Sequence, residues 1–262
     1  MSNILKLMTL NIGNPSIERV RRQIEWIEGR TENIFVLTET KVSEGCSFLE
    51  QHFSGLGNTL FDFDKEPEFN IYFPKSLTGD LGVMILSRYP IVEVKNCFEN
   101  ESRFYSRFLD VIIDYHGQKI GIIGLYVPSR DASEEKTARK KQFAIEFLQY
   151  IKAQNHYGCP YIVCGDLNIL EKDHIPHYSS FKEWEYVFYD RFDHFGFVDA
   201  FRLLHPNDNE YSWVGRTNDG YRYDHCFVTK DIKNKVLKCS YVHETRKIPI
   251  TDHSAMILEL DM

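Results

Sequence analysis

The chain has 262 residues, 43% hydrophobic and 26% charged, with a formal net charge of −7 and a pI near 5.8. This composition is typical of a folded globular protein that buries a sizeable core, and it excludes a disordered chain. The acidic balance argues against a broad basic coat for nucleic acid but is compatible with a local basic rim around an acidic site.

The sequence contains no apolar stretch of membrane-spanning length, and its first ten residues carry a lysine and lead directly into polar Asn11. We therefore expect no signal peptide, no membrane association and a cytoplasmic location. The six cysteines include no Cys-x-x-Cys pair and several lie in apolar runs, which predicts buried, reduced thiols rather than a zinc site.

In chain order, the first predicted elements are a strand and an amphipathic helix. Residues 4–10 form an apolar run that ends at Asn11, so an amide stands at a strand exit. Apolar residues at helical spacing follow over residues 17–27, with Ser16 as N-cap and Gly29 as the stop.

A second buried strand, residues 34–37, is followed closely by an acid, Glu39. Scattered glycine, asparagine and proline over residues 55–78 indicate a long irregular connection. Residues 81–86 and 91–94 then flank a Ser-Arg-Tyr-Pro turn, and this pattern predicts a β-hairpin.

Residues 108–115 and 119–125 flank a His-Gly turn and predict another hairpin, whose second strand leads into Tyr126. A helix is predicted within residues 131–155. Its acids come first and its bases later, which suits a solvated face on a helix dipole, although substrate contact is the alternative. The bases are Lys136, Arg139, Lys140 and Lys141.

Residues 161–164 form a short, wholly apolar strand that breaks at Gly165 and then presents Asp166 and Asn168. Two residues apart in extended chain, these side chains can point the same way. A carboxylate that takes a proton from water, beside an amide donor, suits hydrolysis of a phosphate ester. The alternative is a plain Asp-Leu-Asn turn that closes the strand.

The last third of the chain predicts a helix near residues 181–192, a short helix over 198–204 and a short strand over 211–213. After these, the order of polar and apolar residues reverses. Asp224 and His253 stand before their strands.

One shared site therefore requires antiparallel neighbours within mixed sheets. We predict a single α/β domain over residues 1–262, with two packed sheets and helices outside. The polar set combines carboxylates, amides and imidazole without sulfur, which favours Mg²⁺, or Mn²⁺, over zinc. Its members are Asn11, Glu39, Asp166, Asn168, Asp224, Asp252 and His253.

These motifs, in this order, resemble the endonuclease/exonuclease/phosphatase family, and the match runs nearly from end to end. The resemblance implies a DNase I-like, four-layer α/β sandwich with the site at one end of both sheets. The matching segments are Leu10-Asn11, Thr38-Glu39-Thr40-Lys41, Gly82-Val83, Ser87-Arg88, Tyr126-Val127-Pro128, Gly165-Asp166-Leu167-Asn168, Tyr211-Ser212-Trp213, Arg222-Tyr223-Asp224-His225 and Thr251-Asp252-His253.

The resemblance also implies a role for each site residue. Glu39 would be the principal Mg²⁺ ligand, with Asn11 and Asp252 close to the metal. Asp166 would activate the attacking water. The remaining implied roles are phosphate binding by Asn168, His253 and Tyr126, and orientation of His253 by Asp224.

His225 has the alternative of a satisfied strand histidine, which we favour. The exonuclease III and abasic-site endonuclease branch is the nearest, with Trp213 and Arg222 at the substrate. Val214, where that branch often has a second aromatic, and the short loop 215–220 depart from it.

The sequence thus predicts a Mg²⁺-dependent phosphodiester hydrolase with DNA as its nucleic-acid partner. The alternatives are a hydrolase for a small-molecule, lipid or RNA phosphate ester, and a non-catalytic binding module that kept the fold.

Overall fold

The computed structural model describes residues 4–55, 68–76, 78–95, 102–154 and 158–262. In it, two six-stranded mixed sheets pack face to face. The first sheet has the spatial order β13 (Val236–Val242), β14 (Ala255–Asp261), β1 (Ile4–Asn11), β2 (Ile34–Thr40), β4 (Gly82–Ser87), β3 (Asn70–Tyr72). The second has the order β5 (Ile91–Lys95), β6 (Phe108–Tyr115), β7 (Gln118–Tyr126), β8 (Tyr161–Asp166), β12 (Asp224–Thr229), β9 (Phe197–Asp199).

Helices cover the outer faces of both sheets, which gives the four layers that were predicted. The helices are α1 (Ile17–Glu28), α2 (Glu44–Ser54), α3 (Glu134–Ala153), α4 (Glu183–His194), α5 (Ala200–Leu204) and α6 (Glu244–Lys247). A 3₁₀ turn (Lys230–Lys235) and a two-stranded ribbon of β10 (Trp213–Val214) and β11 (Gly220–Tyr221) complete the described elements.

Three apolar layers follow from the period of two along the strands. On β1, Leu5 and Leu7 enter the core between the sheets, whereas Met8 and Leu10 face α1 and α2. The phenylalanines of α3 and α4, such as Phe147, fill the layer outside the second sheet. A strand apolar on both faces is therefore covered on both faces.

The first predicted helix is confirmed with its caps. The hydroxyl of Ser16 accepts the N–H of Arg19 at 3.4 Å, and the N–H of Gly29 bonds the carbonyl of Glu25 at 3.3 Å. The hairpin of β6 and β7 is confirmed too, because both residues of its turn take positive φ, 53° at His116 and 88° at Gly117.

The other predicted hairpin is wrong. β4 pairs with β2 and β3 in the first sheet, whereas β5 pairs with β6 at the edge of the second. Between them, the Ser87 hydroxyl bonds both the N–H and the carbonyl of Tyr89 and closes the turn. The turn residues thus indicated a chain reversal correctly, but they carry no information about which sheet receives the next strand.

Helices α2 and α6 and strands β3, β9, β11 and β13 were not predicted, and residues 198 and 199, which were predicted to begin a helix, belong to β9. Ser43 caps α2, whose buried face is formed by Cys46, Leu49 and Phe53 at helical spacing, so a signal was present. Of the irregular connection predicted over residues 55–78, residues 56–67 and 77 lie outside the described part of the chain.

The described cysteines are free, and all of them except the partly buried Cys159 are buried, as expected. Cys97 lies outside the described residues. Among the helices of the described ranges, none is both long enough and apolar enough to cross a bilayer.

Candidate active site

Strand ends from both sheets meet at one cleft. In the second sheet Asp166 lies beside Tyr126 in parallel register and opposite Asp224 in antiparallel register. In the first sheet, Asn11 ends β1 next to β2. The predicted mixture of parallel and antiparallel neighbours is therefore present, and it is what brings strand exits and strand starts to the same edge.

Asp166 is held by two hydrogen bonds at the end of β8. Its Oδ2 accepts from Nδ2 of Asn11 at 2.9 Å, and its Oδ1 accepts from the N–H of Asn168 at 3.0 Å. Gly165 has φ 143°, and a Cβ there would lie 1.9 Å from the carbonyl oxygen of Leu125, so the close approach of β7 and β8 requires glycine.

The pKa of Asp166 is raised to about 7, first by burial and then by the negative charge of Asp224. A carboxylate with such a pKa exchanges a proton near neutral pH, as a general base requires.

Asn168 adopts a left-handed conformation with φ 49°, a region that asparagine occupies more readily than most non-glycine residues. Its Nδ2 donates to the carbonyl of Val127 at 3.1 Å. An amide nitrogen carries two protons, so one N–H is left for a ligand in the cleft, which Asn168 lines.

His253 and Asp224 form a buried pair, with 2.7 Å between Nδ1 and Oδ2. Burial acts to lower the pKa of His253, but Asp224 and Asp166 outweigh it and raise that pKa to about 10. The other ring nitrogen, Nε2, lies 3.4 Å from Nδ2 of Asn11. The imidazole is therefore protonated at neutral pH and presents its far nitrogen to the cleft.

The pair makes stability depend on pH. A histidine with a raised pKa stabilises the folded state below its unfolded pKa of about 6.5, and this contribution is lost as pH rises to about 10. We therefore expect Asp224→Asn to lower the unfolding temperature much more at about pH 6 than at about pH 10. Thermal unfolding in EDTA measures the difference, with Asp190→Asn, an exposed acid, as the control. Equal losses at both pH values would contradict the pairing.

Glu39 owes its direction to a β-bulge. The register between β2 and β4 shifts between Thr38 and Thr40, and Glu39 takes φ 56°. A bulge re-aims a side chain, and here the carboxylate joins the cleft. Its Oε1 accepts from the hydroxyl of Tyr126 at 2.9 Å. Burial and Glu39 raise the pKa of Tyr126, so this phenol stays protonated and donates.

An aromatic wall borders the cleft and consists of Trp213, Tyr221 and Tyr223, which line it, and Tyr178, which stacks on Tyr221. The rings of Tyr221 stack on Tyr178 at 4.2 Å and on Tyr223 at 5.0 Å. The indole N–H of Trp213 donates to Oδ2 of Asp252 at 2.9 Å, so the aromatic wall is hydrogen-bonded to one of the predicted metal ligands.

The structure does not bring Arg222 to the cleft, which departs from its predicted substrate contact. Its side chain is 0% exposed and bonds Oδ2 of Asp199 at 2.9 Å and a carboxylate oxygen of Glu171. Alternation along extended chain explains this, because residues 221 and 223 share the face opposite to 222. The same rule would have assigned the two tyrosines to the cleft.

Glu171, Asp199 and His225 form a buried cluster whose potential ligand atoms all lie within 4.8 Å of one another. The guanidinium of Arg222 already bonds both of its carboxylates, so the cluster holds a cation without a metal. Burial lowers the pKa of His225, whose Nε2 lies 3.2 Å from the carbonyl of Ile169. His225 is therefore a buried strand histidine, but it is only half satisfied, because its buried Nδ1 has no hydrogen-bond partner among the described residues and lies 3.6 Å from Oδ2 of Asp199.

The basic residues of α3 lie in two different environments. Lys136 is exposed and pairs with Asp131, whereas Lys140 is buried, pairs with Glu185 and lines the cleft. Burial lowers the pKa of Lys140, and Glu185 acts in the opposite direction. A run of bases in sequence did not reveal this inward-facing lysine.

The cleft has a volume of about 510 Å³. Three of the predicted site residues do not line the cleft, but each is hydrogen-bonded to a residue that does. They are Asn11, Tyr126 and Asp224. Those that line it are Glu39, Asp166, Asn168, Trp213, Asp252 and His253.

The donor set fits a divalent cation such as Mg²⁺. Glu39 and Asp252 present carboxylate oxygens to the cleft, the ligand type that Mg²⁺ prefers. After burial and Asp224, and against the opposing charge of His253, repulsion from Glu39 also raises the pKa of Asp166, and a cation bound by Glu39 would relieve that repulsion. Asn11 fits less directly, because its amide nitrogen donates to Asp166 and its Oδ1 already accepts the N–H of Gly13 at 2.9 Å.

Two packed mixed sheets flanked by helices give the chain a DNase I-like fold. The chain belongs to the endonuclease/exonuclease/phosphatase family, whose sequence model matches residues 8–253. It is 22% identical over 250 residues to the exodeoxyribonuclease of Bacillus subtilis. This match covers 88% of this chain and 91% of that protein. It is also 22% identical over 205 residues to exodeoxyribonuclease III of Haemophilus influenzae. That match covers 69% of this chain and 77% of the relative.

Solved structures agree in fold. An AP endonuclease from Archaeoglobus fulgidus superposes with a TM-score of 0.79 at 23% identity, covering 98% of this chain and 100% of that one. A variant of the 3′ phosphatase NExo from Neisseria, bound to product DNA hairpin, gives 0.79 at 18% identity with the same coverage. At such identities the likeness concerns the fold.

Proposed function

We propose that this protein is a Mg²⁺-dependent phosphodiester hydrolase that acts on DNA in the manner of exonuclease III, with residues 1–262 as one catalytic domain. The observation that carries the proposal is the meeting of Asp166, Asn168 and the Asp224–His253 pair at one cleft. The relatives named above as exodeoxyribonucleases support the choice of DNA.

In the proposed reaction Asp166 takes a proton from the attacking water, whose oxygen bonds to phosphorus as the ester P–O bond breaks, and the leaving oxygen takes a proton from solvent. Its bonds from Asn11 and Asn168 fix the carboxylate, and its pKa of about 7 suits the transfer. The protonated His253, held by Asp224, binds the phosphate and the charge that develops on it. The free N–H of Asn168 donates to the same group.

Glu39 and Asp252 would hold the metal, with Asn11 close by. A bound Mg²⁺ neutralises charge on the phosphate oxygens. Tyr126 has one hydroxyl proton, which bonds Glu39, so we propose that it orients this carboxylate rather than donating to the phosphate.

For the substrate we propose that the aromatic wall, with Trp213 foremost, contacts the sugar and base next to the cleaved bond. Aromatic rings stack on nucleotides without regard to base identity. Arg222 has no place in this contact because it is buried elsewhere.

The second candidate is hydrolysis of a small-molecule, lipid or RNA phosphate ester at the same cleft. The net charge of −7 favours it, since an acidic surface binds long polyanions poorly. The cleft volume of about 510 Å³ also suits a small ligand.

The test compares substrates under one condition. Purified protein with Mg²⁺ is incubated with duplex DNA, abasic-site duplex, RNA and small phosphate esters, with Asp166→Asn as the inactive control. We expect Asp166-dependent release of products from DNA. Turnover confined to RNA or small esters would replace the DNA assignment by the second candidate, and no Asp166-dependent turnover at all would favour a binding module.

A further inference from the structure

In the lining of the cleft, Lys140 connects Asn168 to two helices. Lys140 lies in α3 with 2% of its surface exposed, and its ammonium donates to the carbonyl of Asn168 and to Oε1 of Glu185, each at 2.6 Å. The other oxygen of Glu185 accepts from Nε of Arg130 at 3.1 Å and from the N–H of Lys182 at 2.9 Å. The loop after β7, α3 and the start of α4 therefore meet at one buried pair.

The carbonyl that Lys140 binds belongs to Asn168, whose backbone is in the left-handed region. The peptide before Asn168 is fixed by its N–H bond to Oδ1 of Asp166, and the peptide after it is fixed by Lys140. The two bonds hold the peptides on either side of Asn168, whose φ of 49° is in the left-handed region. If the second bond is lost, Asn168 is free to relax, and the N–H that orients Asp166 moves with it.

We infer that Lys140 is a positioning residue for the Asp166 carboxylate, acting through the backbone of Asn168, and that Glu185 and Arg130 hold its ammonium in place. This rests on the proposed function, since it requires Asp166 to be the base. The ammonium donates to two groups of the protein itself, so we expect its loss to change kcat more than KM, even though Lys140 also lines the cleft.

The first experiment replaces Lys140 by a side chain of similar length without charge. Lys140→Met is expected to lower kcat about 100-fold with KM changed less than about two-fold, because small misplacements of a reacting group cost this much. Lys141→Met, on the exposed face of the same helix, is the matched control and is expected to leave both constants unchanged. A rise in KM at unchanged kcat would instead indicate substrate contact and overturn the inference.

A double-mutant cycle separates positioning from a general structural role. In the Asp166→Asn background, followed by single-turnover kinetics, Lys140→Met is expected to cost less than about two-fold, because the residue it positions is already gone. A further loss of about 100-fold would show that Lys140 acts independently of Asp166.

A third experiment distinguishes loss of the ammonium group from loss of folding, by adding a soluble ammonium compound to a variant that lacks the Lys140 side chain. Glu185 keeps its bonds from Arg130 in Lys140→Ala, and propylammonium matches the atoms removed. We expect propylammonium to restore at least about ten-fold of the lost kcat, whereas tetramethylammonium, which has no N–H, restores none. No recovery in a variant with a cooperative thermal transition would overturn the inference.

The two proposals fail in different ways. If Asp166→Asn keeps wild-type turnover, Asp166 is not the base, and the proposed mechanism is wrong. If Asp166→Asn is inactive while Lys140→Met matches Lys141→Met, the hydrolase survives and the positioning role is wrong.

Discussion

Asp166→Asn is expected to lower kcat by about 10³-fold on whichever phosphodiester the wild type cleaves, since a positioned general base contributes 10²–10⁴-fold. The amide keeps the size of the side chain and removes the group that takes the proton. Steady-state kinetics with Mg²⁺ at saturating substrate measures the loss. Turnover within about ten-fold of the wild type would assign the base to another residue.

The same variant should show a characteristic pH dependence of stability. Asp166 binds its proton more tightly in the folded chain, so the wild type loses stability as pH rises from the ordinary pKa of 3.8 to about 7. Asparagine does not titrate, and the unfolding temperature of the variant relative to the wild type should therefore rise over this interval. The carboxylate of Asp166 accepts two N–H groups, and the NH₂ group of asparagine could not accept either of them. This loss destabilises the variant equally at every pH, so it does not change the slope. Unfolding is measured in EDTA, and a constant difference between about pH 4 and pH 8 would contradict the raised pKa.

Removal of divalent metal is expected to abolish turnover, and Mg²⁺ is expected to restore it. The cleft carries Glu39, Asp166 and Asp252, and their mutual repulsion, together with the charge of the phosphate, opposes binding of an anionic substrate without a cation. Activity that survives thorough chelation would exclude the metal assignment.

Glu39→Gln tests which residue holds the metal. Replacement of one carboxylate ligand should raise the Mg²⁺ concentration for half-maximal activity by about 100-fold, since even outer partners of a ligand contribute 10–100-fold. Glu18→Gln, an exposed acid on α1, is the control. An unchanged Mg²⁺ titration in Glu39→Gln would place the principal ligand elsewhere.

The two predicted hairpins show which strand pairings can be predicted from local sequence and which cannot. The His116–Gly117 turn demands two residues with positive φ and joins adjacent strands, so turn chemistry alone settles the pairing. The Ser87–Pro90 turn has no such constraint, and its strands belong to opposite sheets. There the pairing depends on which partner buries more apolar surface, and that partner is distant in sequence.

Charged residues show the same limit. Lys140 and Lys141 are neighbours in a run of bases, but one is buried at the cleft and the other is exposed. Arg222 stands in a motif next to Asp224 but lies in a separate ion-pair cluster. In each case the destination of a charge depends on the acid that meets it, here Glu185 or Glu171 and Asp199.

From the sequence alone one can read the family, the strand ends that carry polar groups and the requirement for mixed sheets, because apolar periodicity and glycine positions are local properties. The direction of Glu39, the charge state of Asp166 and the burial of Lys140 depend on a β-bulge, on burial and on a carboxylate from another helix. These are properties of contacts between distant segments, and they come into existence only when the chain packs.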